Sequence, residues 1–262
     1  MKNLEFSIIS AFTDKKDLKG NTTAVVHINV PLKEKQMQEY ARILNQPATT
    51  FIYHDEFNEE FHLRWFAPDA EIDLCGHGAF GAVAFLLDEP GTVELNYAGG
   101  IINGERYLND ECSIELAGIE SEHASIPKGL EEALGVDIES YFKTNNKHVV
   151  VLDSEKRLAK MKPNFELLRK IKVFGYAVTA PGDQVDFVSR TIVPHVEALE
   201  DQATGSSHAA LFPFWAKNLK TDTLKAHQLS QRGGYFKGYV NDGRVLIRSC
   251  YKKYSKGTLK DL

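Results

Sequence analysis

The sequence predicts an α+β fold in which short strands wrap around one buried helix in each of two similar halves. Three observations carry this. Two polar, glycine-bearing stretches, Asp73-Leu74-Cys75-Gly76-His77-Gly78-Ala79 and Asp201-Gln202-Ala203-Thr204-Gly205-Ser206-Ser207-His208, each lead straight into an apolar run, 79–87 and 209–216. A helix that is apolar all round must be buried. Upstream of each lies a strand-like run with an Arg, three residues and a Pro: Arg64 to Pro68, and Arg190 to Pro194. A match in order, in both halves, points to a duplicated domain; the bland alternative is two unrelated strand–turn–helix units. Finally, strands outnumber helices and do not alternate with them as in a nucleotide-binding sheet.

The individual elements follow from periodicity and punctuation. Residues 4–12 and 22–28 are β-rich and flank the turn signal Gly20-Asn21, so they form a hairpin-like pair. Pro31 opens a helical stretch with Leu32, Met37, Tyr40, Ala41 and Leu44 on one face, stopped by Asn45 and Pro47. Residues 49–53, 61–66, 92–97 and 113–116 read as strands. The polar segment 118–127 lacks periodicity and marks a domain boundary. Beyond it, 130–134 reads as a short helix closed by Gly135, and 165–171 as helical. Residues 148–152, 173–179, 185–189, 224–229, 235–240 and 245–249 read as strands, with turns at Pro181-Gly182-Asp183, Gly233-Gly234 and Asn241-Asp242-Gly243. The expected domains are 1–118 and 119–262, with a last strand, about 250–262, returning to the first.

Whole-chain properties narrow the function. The chain has 262 residues, enough for two units with real cores. A net charge of −5 without a basic block argues against a nucleic-acid partner. Cys75, Cys112 and Cys250 are scattered and odd in number, which fits free thiols in a reducing compartment. Glu5 and Asp14 near the first apolar stretch argue against a signal peptide, and no apolar run reaches membrane-spanning length. A cytoplasmic, soluble protein is the expectation.

Candidate chemistry gathers at the two glycine turns. A helix start exposes N–H groups that suit an anion such as a carboxylate. His77, between Gly76 and Gly78, and Asp201, read as its counterpart in the other half, form a proton donor and acceptor pair if both face one cleft. The structural alternatives are that His77 satisfies backbone groups and Asp201 caps the helix. Cys75 sits near a helix start, where a thiolate is stabilised, or is a small core residue. Ser206 binds a substrate oxygen or caps, and Arg232 binds a carboxylate or solvates an edge. There is no serine-hydrolase elbow, no phosphate-binding loop and no Cys/His set with metal spacing.

Taken together, Gly20-Asn21, Arg64-Trp65-Phe66-x-Pro68, Glu71-Ile72-Asp73-Leu74-Cys75-Gly76-His77, Asp186 to Arg190, Glu200-Asp201-x-Ala203-Thr204-Gly205-Ser206-x-His208 and Gln228-x-Ser230-x-Arg232-Gly233-Gly234 resemble the phenazine-biosynthesis PhzF family of isomerases. The resemblance implies a diaminopimelate-epimerase-like fold: two pseudo-symmetric domains, each a β-barrel-like sheet around a central helix, with the active site in the cleft between them. It implies metal-free, cofactor-free proton transfer on a small carboxylate-bearing substrate, and a homodimer. By motif, His77 and Asp201 become active-site residues and Gly76 and Ser206 help bind substrate; Gly78, Cys75, Thr204, Gly205, Asn21 and Arg232 are the further candidates for substrate binding. Two departures stand out. Ala48 occupies the place of the family's acid/base Glu, and Ala cannot move a proton. Thr204 stands where the related two-thiol racemases have their second cysteine, which argues against two-cysteine chemistry. The leading expectation is an isomerase; the alternative is a relative that binds small molecules without turnover.

Overall fold

The hairpin expected at the start of the chain is present: β1 (Leu4–Thr13) and β2 (Asn21–Ile28) pair antiparallel, Ile8 opposite Ala24. The computed structural model describes residues 4–14 and 16–260. Gly20 turns the chain at φ +60°, and a Cβ there would sit 2.0 Å from the Ala11 carbonyl oxygen. Backbone blocks it, not a movable side chain. Gly20→Ala is therefore expected to lose about 3 kcal/mol or more of stability, read from urea unfolding.

The remaining elements of the first half are α1 (Glu34–Leu44), β3 (Ala48–Asp55), β4 (Glu60–Phe66), β5 (Glu71–Ile72), α2 (Gly76–Leu86), β6 (Gly91–Tyr97), β7 (Gly100–Arg106) and β8 (Glu111–Ala117). Met37, Tyr40 and Ala41 of α1 fall on one helical face and bury against Phe51 and Phe66 of β3 and β4. Asn45 ends α1 in a left-handed conformation. The second half holds β9 (Glu122–Ala124), α3 (Leu130–Leu134), β10 (Ser140–Lys143), β11 (His148–Val151), α4 (Glu155–Lys160), α5 (Phe165–Leu168), β12 (Tyr176–Pro181), β13 (Phe187–Val193), β14 (Leu199–Asp201), α6 (Gly205–Leu219), β15 (Thr223–Gln228) and β16 (Gly234–Asn241). β17 (Arg244–Leu259) is the last strand. The chain divides into two compact units: Met1–Leu116 with Arg248–Leu262, and Ala117–Ile247.

Within the first unit, β1–β2 and β3–β4 are antiparallel, β2–β3 and β4–β6 parallel, and β6–β7–β8 antiparallel. β17 pairs with both β1 and β8, which closes an eight-strand ring. The apolar helix α2 packs against β1, β2, β3 and β7 of that ring. The second unit repeats the order. β10–β11 is antiparallel, β11–β12 parallel, β12–β13 antiparallel, β13–β15 parallel and β15–β16 antiparallel, with α6 against β12, β15 and β16. Register carries the duplication to single residues. Phe51 lies opposite Arg64 as Val178 lies opposite Arg190. Gly104 makes room for Val83 of α2, and at the matching place Gly238 makes room for Phe212 of α6; a Cβ would come within 2.2 and 2.3 Å of them.

Several elements differ from expectation. β7 carries two glycines and sets an exposed Ile101 beside the buried Ile102, so no apolar alternation marks it in the sequence; pairing with β6 and β8 makes it a strand. β10 and α4 are short and were not expected. α4 is a six-residue helix, too short to persist alone, and holds through the Ser154 cap and buried Leu158. α5 stops at Leu168, not at residue 171, and β12 starts at Tyr176 because residues 171–173 turn, with the Val173 N–H donating to the Ile171 carbonyl. The polar boundary segment contains β9, which pairs with β10. The runs 245–249 and 250–262 are largely one strand, β17, sixteen residues long.

α6 contains Pro213, which has no N–H for the Ala209 carbonyl. That carbonyl accepts from the Ile119 N–H instead, at 2.9 Å. His208 also belongs to this core. It is fully buried, donates Nδ1–H to the Thr204 carbonyl at 2.8 Å and stacks on Phe236. Burial pushes its pKa down to about 4. The unfolded chain, with its His near the ordinary 6.5, then binds more protons between pH 6.5 and 4. Stability is full above this window and falls on acidification through it, by about 2–3 kcal/mol at pH 4.5. Urea unfolding at pH 7.5 and 4.5 checks this, and His208→Leu should shrink the difference.

Candidate active site

In the first unit the site is built on the start of α2. Cys75 is the N-cap, and its Sγ accepts from the Gly78 N–H at 3.4 Å. His77 follows at the second helical position. Its Nδ1 lies 3.4 Å from Cys75 Sγ and 3.5 Å from Asn21 Nδ2. Cys75, His77 and Asn21 are all buried. The sequence thus brings a thiol, an imidazole and an amide together from β2 and α2. Gly78 has two duties: its N–H points to the sulfur, and a Cβ on it would lie 2.6 Å from Trp65 Cδ1 and 2.7 Å from Thr50 Oγ1.

Thr50 therefore lies on the face of β3 that α2 covers. Ala48 is two residues away in the same strand and shares that face, while Phe51 points to α1. Ala48 is fully buried, and its carbonyl accepts from Thr23 Oγ1 at 3.0 Å. The alanine methyl carries no proton-moving group at this position.

In the second unit Thr204 is the N-cap of α6, but its hydroxyl turns away to donate to Asp201 Oδ2 at 2.7 Å. The first turn of α6 therefore receives no side-chain cap. Gln228 clamps this loop: its Oε1 accepts from the Thr204 N–H at 2.9 Å, and its Nε2 donates to the Asp201 carbonyl at 2.5 Å. Ser230 Oγ donates to the Gln202 carbonyl, and the Arg232 N–H donates to Gln202 Oε1 at 3.1 Å. The Gln-x-Ser-x-Arg-Gly-Gly stretch is a scaffold for residues 201–204. Gln228 was legible as part of a motif, though not as the residue that positions Asp201.

The register corrects one expectation. His77 and Asp201 are not counterparts. Ile72 of β5 lies opposite Trp65 and Asp201 of β14 opposite Thr191, so Asp201 matches Ile72. The residue matching His77 is Ser206, second in its helix. The turn is duplicated, but the chemistry is not. Both halves brace the turn in the same way: Arg64 grips Glu71 through two bonds of 2.6 and 2.7 Å, and Arg190 grips Glu200 through two of 2.8 and 2.7 Å. Each fork ties the strand before the helix to its neighbour.

Lys147 escaped the sequence reading. It precedes β11 as a single charge before an apolar run, with no motif around it, yet it is buried and its Nζ donates to Ser206 Oγ at 3.0 Å. Among the described residues, no group of three His, Cys, Asp or Glu is arranged to hold a metal ion, and no helix is long and apolar enough to cross a membrane.

Comparison with known proteins gives a consistent result. A family model described as phenazine biosynthesis-like protein matches residues 9–249. An uncharacterized isomerase of Pseudomonas aeruginosa is 35% identical over 257 residues, covering 96% of each chain. The crystal structure of a PhzF-family phenazine biosynthesis protein from Enterococcus faecalis superposes with a TM-score of 0.90 at 33% identity, covering 99% of this chain and 100% of that one. A hydroxyproline epimerase from Agrobacterium vitis shares the fold, with a TM-score of 0.68 at 10% identity over 98% of this chain and 92% of its own.

Proposed function

The chain belongs to the phenazine-biosynthesis PhzF family, and from that premise we propose that it catalyses a cofactor-independent proton-transfer isomerisation of a small carboxylate metabolite. In such a step a C–H proton beside an electron-withdrawing group leaves to a base, the double bond or configuration shifts, and a proton returns at carbon. His77 and Asp201 handle the protons. Gly76 and the uncapped N–H groups of Gly205 and Ser206 stabilise the anionic group, as oxyanion-type catalysis requires. The active species is a homodimer.

The observation that carries this reading is the buried His77, held between Cys75 Sγ and Asn21 Nδ2 at the first turn of an apolar helix. His77 has a thiol beside it, a group that can accept or return a proton. A second reading, a binding protein without turnover, is favoured by one feature, the fully buried Ala48 at the family's acid/base position.

The two readings separate in one experiment. Small carboxylates are screened by the rise in Tm they cause, and each hit is then followed by NMR with the protein present. The isomerase reading expects a second isomer to grow in from at least one hit. Strong stabilisation by several hits, all unchanged after prolonged incubation, would favour the binding protein.

A further inference from the structure

Lys147 is held in a turn in which Thr144 Oγ1 donates to the Lys147 carbonyl at 2.9 Å and accepts from the Asn146 N–H at 3.0 Å. Its Nζ donates to Asn146 Oδ1 at 2.9 Å and to Ser206 Oγ at 3.0 Å, and lies 5.6 Å from the centre of the Phe174 ring. Only 8% of the residue is exposed. Burying an ammonium costs solvation. The start of a helix is itself positive, and Ser206 is the second residue of α6. Two positive elements thus converge on one hydroxyl. Both favour an anion at that point.

Ser206 gives the independent indication. A hydroxyl offers one donor and accepts at two sites. Ser206 Oγ accepts from Lys147, and its O–H finds no acceptor among the described residues, although the residue is 93% buried. Buried donors are normally spent. An unspent donor beside a buried cation points outward to a ligand oxygen. The first unit has no such pair: by register Thr23 stands where Lys147 does, and it bonds to Thr50 Oγ1 and the Ala48 carbonyl.

We propose that Lys147 is a specificity-determining residue whose ammonium, together with the Ser206 hydroxyl, holds a carboxylate group of the substrate at the first turn of α6. This rests on the reading of the chain as a carboxylate isomerase, and it restricts the substrate to acids in preference to their amides or esters. The Lys–Ser pair fixes one end of the molecule and itself moves no proton.

The test uses malonate as the anionic probe and malonamide as its neutral match, on protein carrying ¹³C-labelled lysine. Malonate should move the Lys147 Cε resonance along a saturable curve, and malonamide should not. Lys147→Met and Ser206→Ala should each weaken malonate binding, the former by about tenfold or more, as loss of a charge-assisted hydrogen bond implies. Lys147→Arg should retain most of it. A Lys147 resonance indifferent to malonate, or equal malonate affinity in folded Lys147→Met, overturns the proposal. Should Lys147→Met not fold, the wild-type titration decides alone. Proton exchange on carboxylates, run beside it, keeps the two claims apart. Exchange with a silent Lys147 removes the anion site and leaves the isomerase. A responsive Lys147 without exchange does the reverse.

Discussion

Ala48→Glu should raise the rate of carbon-bound proton exchange by about 10²–10⁴-fold, the usual contribution of a positioned general acid/base. Position 48 begins β3 on the face covered by α2, two residues from Thr50, which touches the first turn of that helix at Gly78. A glutamate there is buried, and burial raises a carboxylic acid's pKa toward neutrality, where it takes and returns protons most effectively. The same burial costs stability, so the variant should melt at a lower temperature than the parent while turning over faster. Initial rates of deuterium uptake and a thermal melt, on one preparation of each protein, check both halves of this expectation. A folded variant with no gain in exchange and weaker carboxylate binding would mean that the site is adapted to binding with alanine in place.

His77→Gln should lower exchange by about 10²–10⁴-fold while leaving the fold nearly unchanged. Glutamine can still meet Asn21 and keep the buried position polar, so packing against Cys75 survives and proton transfer does not. Cys75→Ser provides the contrast. It keeps a small helix cap for the Gly78 N–H but replaces the soft, acidic sulfur with a hydroxyl that ionises far less readily. A drop in both variants means that imidazole and thiol act as a unit. A drop in His77→Gln alone assigns the proton to the ring. Rates from single turnovers, together with urea midpoints, separate chemistry from stability.

Much of this was legible in the residues themselves. The two apolar helices after glycine turns, and the repeated Arg-to-Pro spacing, announced the duplication, because burying a helix on all sides demands a wrapping sheet. The family followed from motifs in order along the chain. The register-level correspondence was not legible, since Gly104 and Gly238 stand in dissimilar strands and match only through strand pairing and through what they pack against. The same limit produced the pairing of His77 with Asp201: Asp201 and Ile72 each end the strand that leads into their helix, and only the strand pairing shows that they match. Ile72 and Asp201 share a place in the sheet but no chemistry. Lys147 was invisible for another reason. A lone lysine before a strand looks like a solvated edge, and only its tertiary contact with Ser206, 59 residues on, gives it meaning.

The measurement that bears most directly on the central claim is deuterium incorporation from D₂O into a pool of small amino, hydroxy and unsaturated carboxylates, read by mass spectrometry. The unmodified chain is run beside His77→Gln and Asp201→Asn. Mass gain at one carbon-bound position of one acid, present with the unmodified chain and lost in both variants, is the predicted result. Equal incorporation in all three proteins, or none with any acid that the protein demonstrably binds, would contradict it.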